Sequence, residues 1–429
     1  MKIIGIMTGN SLDACDLVLT EFNQQQIKDI AYFSHPIETD LQQDILLLKE
    51  KIKTKEFSVH LLSQNEFFID VHNRYVKWIA SCVKGLIKSA RLKKSDIDLI
   101  GFHGQTLDHN PPSVAGSSLK ASTLQMGSGK MLASLLNIPV VYDFRSDDIF
   151  NFGEGAPLMP PHNEHIALSM GIKDAFFYNA GNTSNLALLL NKKVVLGFDA
   201  GPFNEFSDRL VRKFKNIPYD KDAFFAKQGV LQPPFLEKLF HQSVRTKNNE
   251  NYLELKPPKS ADPSLYFLDE LIDIKTEKDF VDTLFTLAYF SAYVAFYALK
   301  HIDLSYPFPS TFVLFGGGWH NPICYQSFLD ILNKNGFELS EHHSLFNEIR
   351  NRFSSPINLI FPQNAQYMEA RLVADMAYYF ELKKAWTTPI LTGCKTPTIL
   401  GCKAYPLKKG EGVDDYINRA HEGWQESLK

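Results

Sequence analysis

The chain has 429 residues, 45% of them hydrophobic and 22% charged, with a formal net charge of −3; that is more chain than one hydrophobic core ordinarily supports, so two domains are expected. Lys and Arg are scattered rather than clustered, which leaves no electrostatic footprint for nucleic acid or an anionic membrane, and a small ligand is the expected partner. The five cysteines (Cys15, Cys82, Cys324, Cys394, Cys402) are widely spaced with no CxxC pair, which argues against a disulfide framework or structural zinc and for a reducing compartment. Residues 1–22 lack the basic start and apolar stretch of a signal peptide, and no apolar run reads as long enough to span a bilayer, so a cytoplasmic location is expected.

Ile3–Met7 is a short apolar run ending in Thr8-Gly9-Asn10-Ser11, and Asp16–Phe22 is rich in strand formers, giving strand, polar turn, strand. Residues 40–94 carry apolar positions at three- and four-residue spacing (Ile45, Leu48, Ile52; then Phe68, Val71, Tyr75, Ile79, Val83, Ile87), which predicts helix. Ile97–Phe102 reads as a strand delivering His103-Gly104-Gln105-Thr106, Lys130–Leu136 as a helix, and Ile138–Tyr142 as a buried strand ending in Asp143-Phe144-Arg145. The opening theme then recurs as Ala175–Tyr178, the polar turn Asn179–Asn185 and Leu186–Leu190, which predicts a duplicated architecture. Val194–Phe198 adds a third strand before Asp199-Ala200-Gly201-Pro202, with helices expected at 203–214, 233–242 and 278–302. Thr311–Phe315 is a last buried strand, delivering Gly316-Gly317-Gly318 ahead of a helix start at Asn321-Pro322. Met368–Leu382 reads as an Ala-rich helix, and the tail from Trp386 as turn-rich with a polar helix at its end.

The three Gly-containing turns, at Gly9, Gly181 and Gly316, each directly follow an apolar strand. Such turns let backbone N–H groups approach phosphates, with Asn10, Ser11, Asn182 and Thr183 able to add donors; each alone also fits an ordinary hairpin or strand-to-helix connection. Neither GxGxxG nor GxxxxGK[ST] stands in a proper context, which counts against a dinucleotide fold and a P-loop kinase. Asp199, at the end of a strand, suits a general base reaching a ligand, and equally an Asx-turn or helix cap; Asp13 carries the same two readings. His103 and Arg145 also follow strands, where ligand contacts gather in open α/β sheets, although a lone His in a turn is often structural. Glu369 falls in the Ala-rich helix, where a solvated carboxylate is the plain reading.

Taken in order, Gly5–Asp13, Phe102–Thr106, Thr123–Gly127, Val141–Arg145, Gly155–Leu158, Gly197–Pro202, Tyr219–Asp222, Pro257–Ser260, Gly316–Gly318 and Thr392-Gly393 closely resemble the anhydro-N-acetylmuramic acid kinase family, sugar kinases of the actin and hexokinase superfamily. The resemblance implies an α/β, two-lobed, actin/hexokinase-like (ribonuclease H-like) fold with a central cleft, the first lobe being 1–142 plus 385–429 and the second 143–384. It implies an enzyme of cell-wall recycling that uses ATP and water to open a 1,6-anhydro-sugar and phosphorylate the freed O6. Asp199 matches the catalytic aspartate; Gly9, Asn10, Ser11 and Asp13 match the first phosphate turn, and Gly181, Asn182 and Thr183 the second. Gly316, Gly317 and Gly318 with Asn321 match the turn near the adenosine, and His103, Arg145, Pro157 and Glu369 match the sugar side. Mg²⁺ is expected on the nucleotide's phosphates rather than in a protein cage, and a homodimer is expected.

The chain departs from the family where Asn10 replaces Thr, where Asn182 replaces a Gly and would accept a positive φ less freely, and at Glu154, Phe203 and Trp319. Phe203 and Trp319 are expected to add bulk near the cleft, and Glu154 a negative charge near the sugar. A different, levoglucosan-like anhydro-sugar and a non-catalytic binding relative are the alternatives.

Overall fold

The computed structural model describes residues 1–9, 12–23, 27–116, 120–246, 248–261 and 263–407. Asn10, Ser11 and the polar helix expected at the end of the tail lie outside them. The described chain divides into two compact units, one of Met1–Ser169 with Tyr367–Pro389 and the described residues from Gly393, the other of Met170–Gln366 with Ile390–Thr392.

In the first unit, β1 (Lys2–Thr8) pairs antiparallel with β2 (Ala14–Phe22), Thr8 lying opposite Cys15, and β2 pairs antiparallel with β3 (Ile27–Pro36). On the other side of β1 lies β4 (Leu99–Phe102), parallel to it. A separate hairpin, β5 (Gln105–Asn110) with β6 (Ser122–Met126), precedes β7 (Val140–Tyr142), which pairs parallel with β4, and Cys402–Ala404 completes the sheet beyond β7. Ile4, Ile6, Leu17 and Leu19 are buried with Ile45 and Leu48 of the helix Thr39–Lys53 and with Tyr75 and Ile79 of the helix Glu66–Ser89.

The opposite face is closed by the helix Met368–Glu381, and two aligned glycines explain how. Gly5 and Gly101 sit side by side in β1 and β4; a Cβ on Gly5 would come within 1.8 Å of the Ala370 carbonyl oxygen, and one on Gly101 within 2.4 Å of that of Val373. Only bare backbone lets the Ala-rich helix lie that close. Residues 367–384, placed by sequence in the second lobe, therefore pack in the first unit, as do 143–169.

The second unit repeats the plan. β8 (Ala175–Ala180), β9 (Thr183–Leu190) and β10 (Lys193–Pro202) form an antiparallel meander, β11 (Thr311–Phe315) lies parallel to β8, and β12 (Asn358–Ile360) lies parallel to β11. Five strands of each sheet thus run third, second, first, fourth, fifth, with the first two connections antiparallel and the fourth and fifth strands parallel to the first, and the first sheet carries Cys402–Ala404 antiparallel beyond its fifth. This is the duplicated ribonuclease H-like topology. The core of the unit is strongly aromatic, with Phe206, Phe290, Tyr293 and Phe296 among its members. The helix Glu277–His301 is long and apolar enough by length and composition to cross a membrane, contrary to the reading that no run reaches that length; 89% of its apolar window is buried inside the unit.

Candidate functional site

In the second unit the polar row at the end of the sheet comes from strand register. Asp199 on β10 faces Asn185 on β9, which in turn faces Asn179 on β8, so the three side chains share one face. One step further the β9–β10 ladder is irregular, passing from Asp199 opposite Asn185 to Gly201 opposite Ser184, so Ala200 is bulged. A bulge re-aims the neighbouring side chain, here Asp199. Its carboxylate Oδ2 accepts from the Ser260 hydroxyl and from the Ala261 N–H, each at 3.0 Å. The residue is 7% exposed.

The Gly181 and Gly316 turns abut. Gly316 has φ +92°, and a Cβ there would meet Asn179 Oδ1 at 2.5 Å and the Ala180 carbonyl at 2.6 Å, so the two strand ends approach over bare backbone. The Gly181 and Asn182 carbonyls accept from the N–H groups of Asn204 (3.1 Å) and Phe203 (2.7 Å), tying this turn to the start of the helix Glu205–Lys215. Neither Gly181 nor Asn182 has a positive φ, so the strain anticipated for Asn182 does not arise. Thr183 Oγ1 and Tyr266 OH share a hydrogen bond of 2.7 Å. A Cβ on Gly317 would meet nothing within 4 Å, whereas one on Gly318 would strike the Phe203 ring at 2.4 Å. Asn321 caps the helix Pro322–Leu332, its Oδ1 accepting from the N–H of Ile323 (2.9 Å) and Cys324 (3.3 Å).

Phe203 and Trp319 do not protrude as expected. They are 1% and 3% exposed, pack edge to face with ring centroids 5.0 Å apart, and the Trp319 indole N–H donates to the Tyr178 carbonyl at 3.1 Å. Their bulk fills the core beneath the Gly316–Gly318 turn.

In the first unit, the β1–β2 turn is closed by Leu12 N–H donating to the Gly9 carbonyl at 3.2 Å, with Leu12 at φ +52°; Asp13 beyond it is exposed, and its carbonyl accepts from Ile37 N–H at 3.0 Å. Just before the turn, the Thr8 and Tyr75 hydroxyls share a buried hydrogen bond of 2.8 Å. His103 and Arg145 meet: Arg145 Nε lies 3.0 Å from His103 Nε2, and Arg145 Nη1 donates to the Gly155 carbonyl at 2.7 Å. Burial, reinforced by the Arg145 charge, lowers the His103 imidazole to about 3. The loop that offers Gly155 is itself held by buried Asp148, whose Oδ2 accepts from Gly155 N–H at 2.8 Å. Pro157, two residues on, is buried and follows a cis peptide bond. Glu369 is half-buried in the first turn of the helix Met368–Glu381. The Glu154 carboxylate accepts from the Ser113 N–H at 3.1 Å and from its hydroxyl, so its charge is used at the start of the short helix Pro112–Ala115.

Sequence reasoning gives a role to Asp199 but none to its companions, although Lys259 and Ser260 stand in the Pro257–Ser260 stretch that carries the resemblance. Lys259 and Ser260 lie some sixty residues away in a segment that carries no periodicity, and Tyr252, whose hydroxyl donates to the Asp199 carbonyl at 2.9 Å, reads as one more aromatic.

A family model for anhydro-N-acetylmuramic acid kinase matches residues 1–352. An anhydro-N-acetylmuramic acid kinase of Clostridioides difficile (strain 630) is 30% identical over 331 residues, 75% of this chain and 81% of the relative. One of Actinobacillus pleuropneumoniae serotype 7 (strain AP76) is 28% identical over 401 residues, 93% of this chain and 97% of the relative. Among solved structures, a ROK family glucokinase from Streptomyces griseus in complex with glucose and AMPPNP is 11% identical over 88% of this chain and 99% of its own, with a TM-score of 0.40.

Proposed function

Because this chain belongs to the anhydro-N-acetylmuramic acid kinase family, we propose that it uses MgATP and water to convert 1,6-anhydro-N-acetylmuramic acid to N-acetylmuramic acid 6-phosphate, with Asp199 as the base. Water attacks the anomeric carbon and gives its proton to Asp199; the bond from that carbon to O6 breaks; O6 takes the γ-phosphoryl group and ADP leaves. The observation that carries this reading is the seat of Asp199: a buried carboxylate at a strand bulge, oriented by two donors, in the same unit as two abutting Gly turns. A general base needs that fixed orientation, because proton transfer requires an acceptor oxygen within hydrogen-bond reach of the water.

Backbone N–H groups of the Gly181–Thr183 and Gly316–Gly318 turns, with those of Gly9–Asp13, are the donors proposed for the nucleotide's phosphates. The room above Gly317 supports close approach there. On the sugar side the Arg145 guanidinium, held by His103 and the Gly155 carbonyl, is the cation proposed for the lactyl carboxylate, with Pro157 and Glu369 completing that side. Because Glu154 is engaged with Ser113, it does not argue for a sugar lacking the lactyl group. Mg²⁺ enters as part of the nucleotide substrate. A cytoplasmic homodimer completes the proposal, supported by the family and by the prevalence of two-fold assemblies; light scattering giving a monomer mass at all concentrations would remove the dimer.

The activity is tested by incubating the protein with ATP, Mg²⁺ and a panel of anhydro-sugars that includes levoglucosan, following ADP and the sugar phosphate by mass spectrometry. Sugar 6-phosphate formed fastest from 1,6-anhydro-N-acetylmuramic acid is expected. ADP without any sugar phosphate would sink the reading.

A further inference from the structure

Asp199 sits on an edge strand, since β10 ends the order β10-β9-β8-β11-β12, and its backbone would lack partners on the outer side without help. A distant strap supplies them. Asp199 N–H donates to the Lys259 carbonyl at 3.2 Å; Lys259 Nζ donates to the Tyr252 carbonyl at 3.2 Å; the Tyr252 hydroxyl returns to the Asp199 carbonyl at 2.9 Å. The three residues form a closed hydrogen-bonded ring. Next along the strap, the Ser260 hydroxyl and the Ala261 N–H both reach Asp199 Oδ2. Exposure is 7% for Asp199, 2% for Tyr252, 3% for Lys259 and 4% for Ser260.

Burying an ammonium is costly, and a strap needed only for packing would be better served by an aliphatic residue. Lys259 instead lies 4.6 Å from the Tyr252 ring centroid and 5.6 Å from that of Phe198, which softens the cost, and spends a donor on the ring. A side-chain donor and a backbone donor from adjacent residues, converging on one oxygen, also fix the rotation of the carboxylate about its own axis, which the Ala261 N–H alone would not do.

We propose that Ser260 is a positioning residue for the reaction, orienting the Asp199 carboxylate from a strap that Lys259 latches to β10. The proposal rests on the reading of Asp199 as the base. Removing one hydroxyl bond to a charged acceptor is worth about 10- to 100-fold, and loss of a donor to a carboxylate disfavours its charged form.

The test compares Ser260→Ala, Ser260→Thr and the near-isosteric, weakly donating Ser260→Cys with the parent. In Ser260→Ala, kcat should fall about 10- to 100-fold with KM for ATP and for the anhydro-sugar within about twofold. The acid limb of the kcat profile should move to higher pH, by on the order of one unit; Ser260→Thr should restore most of the rate, and Ser260→Cys should fall between. A rate within twofold of the parent, or a fall with the acid limb unmoved and no rescue by Thr, would overturn the proposal. Should Ser260→Ala fail to fold, an unmoved acid limb in Ser260→Cys does the same. Titrating the Asp199 carboxyl by ¹³C NMR without substrates separates this proposal from the kinase reading. If the parent turns over no sugar, the kinase reading fails, while an Asp199 resonance that titrates at higher pH in the variant still supports the strap, and an unmoved one rejects it.

Discussion

Arg145 Nε lies 3.0 Å from Nε2 of His103, and since a guanidinium can only donate, this one contact fixes the imidazole tautomer. Nε2 is the acceptor, so Nδ1 carries the proton and donates to the Gly104 carbonyl at 2.9 Å. Arg145→Lys cannot hold both His103 and the Gly155 carbonyl with one rigid fork. We expect kcat/KM for the anhydro-sugar to fall about 10- to 100-fold, with the affinity for a non-hydrolysable ATP analogue unchanged by calorimetry. An unchanged sugar kcat/KM would take Arg145 out of the sugar site. The same ring predicts acid sensitivity. His103 is lowered from 6.5 to about 3, so as pH falls through that window the unfolded chain takes up a proton that the folded chain refuses. Stability present above pH 6.5 is lost on the way down, and His103→Gln should flatten that part of a pH series of denaturant melts.

The glycines at 317 and 318 should part company on mutation. A Cβ on Gly318 meets the Phe203 ring at 2.4 Å and Asn204 Oδ1 at 2.9 Å, whereas Gly317 faces open space. Gly318→Ala should therefore cost about 1–3 kcal/mol of stability through overpacking. Gly317→Ala should leave the melting curve nearly unchanged while raising KM for ATP, if a phosphate or the adenosine passes over it. Equal melting curves for the two variants would contradict the packing described here.

Much of the fold was legible because its central strands are apolar runs: Thr311–Phe315 is strand over the range the composition predicts, and β1, β4 and β8 begin or end within a few residues of it. β3 is not legible: it lies at the sheet edge, half exposed, so it shows no sustained apolar pattern. The β5–β6 hairpin is hidden by polar residues such as Asp108, His109 and Gln125. Phe203 and Trp319 mislead for a different reason. Each looks like an intrusion when it replaces a small residue alone, but the two fit each other in the core, and pairing across 116 positions leaves no local signal. Lys259 and Ser260 fall in the Pro257–Ser260 stretch that carries the family resemblance, but their role toward Asp199 is invisible for the same reason: which residue seats a carboxylate is a property of chain crossing, not of spacing.

Asp199→Asn keeps the shape of the side chain and an oxygen able to accept from Ser260 and Ala261, but it cannot take a proton from water. Turnover should drop about a hundred- to ten-thousand-fold, with melting temperature and ATP binding close to the parent. Single-turnover measurement with the anhydro-sugar is the deciding assay. If Asp199 served only to anchor the strap, Asn would do nearly as well, and an unchanged rate would remove it as the base.

Lys259 gives the strap a signature in stability rather than rate. Burial, with the nearby Lys300 charge, pulls its ammonium down to about 7 from 10.5, although Glu254 and Asp199 pull the other way; His301 Nε2 stands 3.4 Å from its Nζ. The folded-state value lies below the unfolded one, so between about pH 7 and 10 the unfolded chain holds a proton that the folded chain has released. Stability must then rise with pH across this window, by up to about 1.4 kcal/mol per pH unit from this group, and the gain is lost as pH falls back through 7. Lys259→Met keeps the stem packed against Tyr252 and Phe198 but removes the titration. Denaturant melts at pH 7.5 and 9.5 should therefore show the parent gaining more stability than Lys259→Met. Parallel gains would mean that the ammonium is solvated in the folded protein and that the ring of Asp199, Lys259 and Tyr252 is not closed as described.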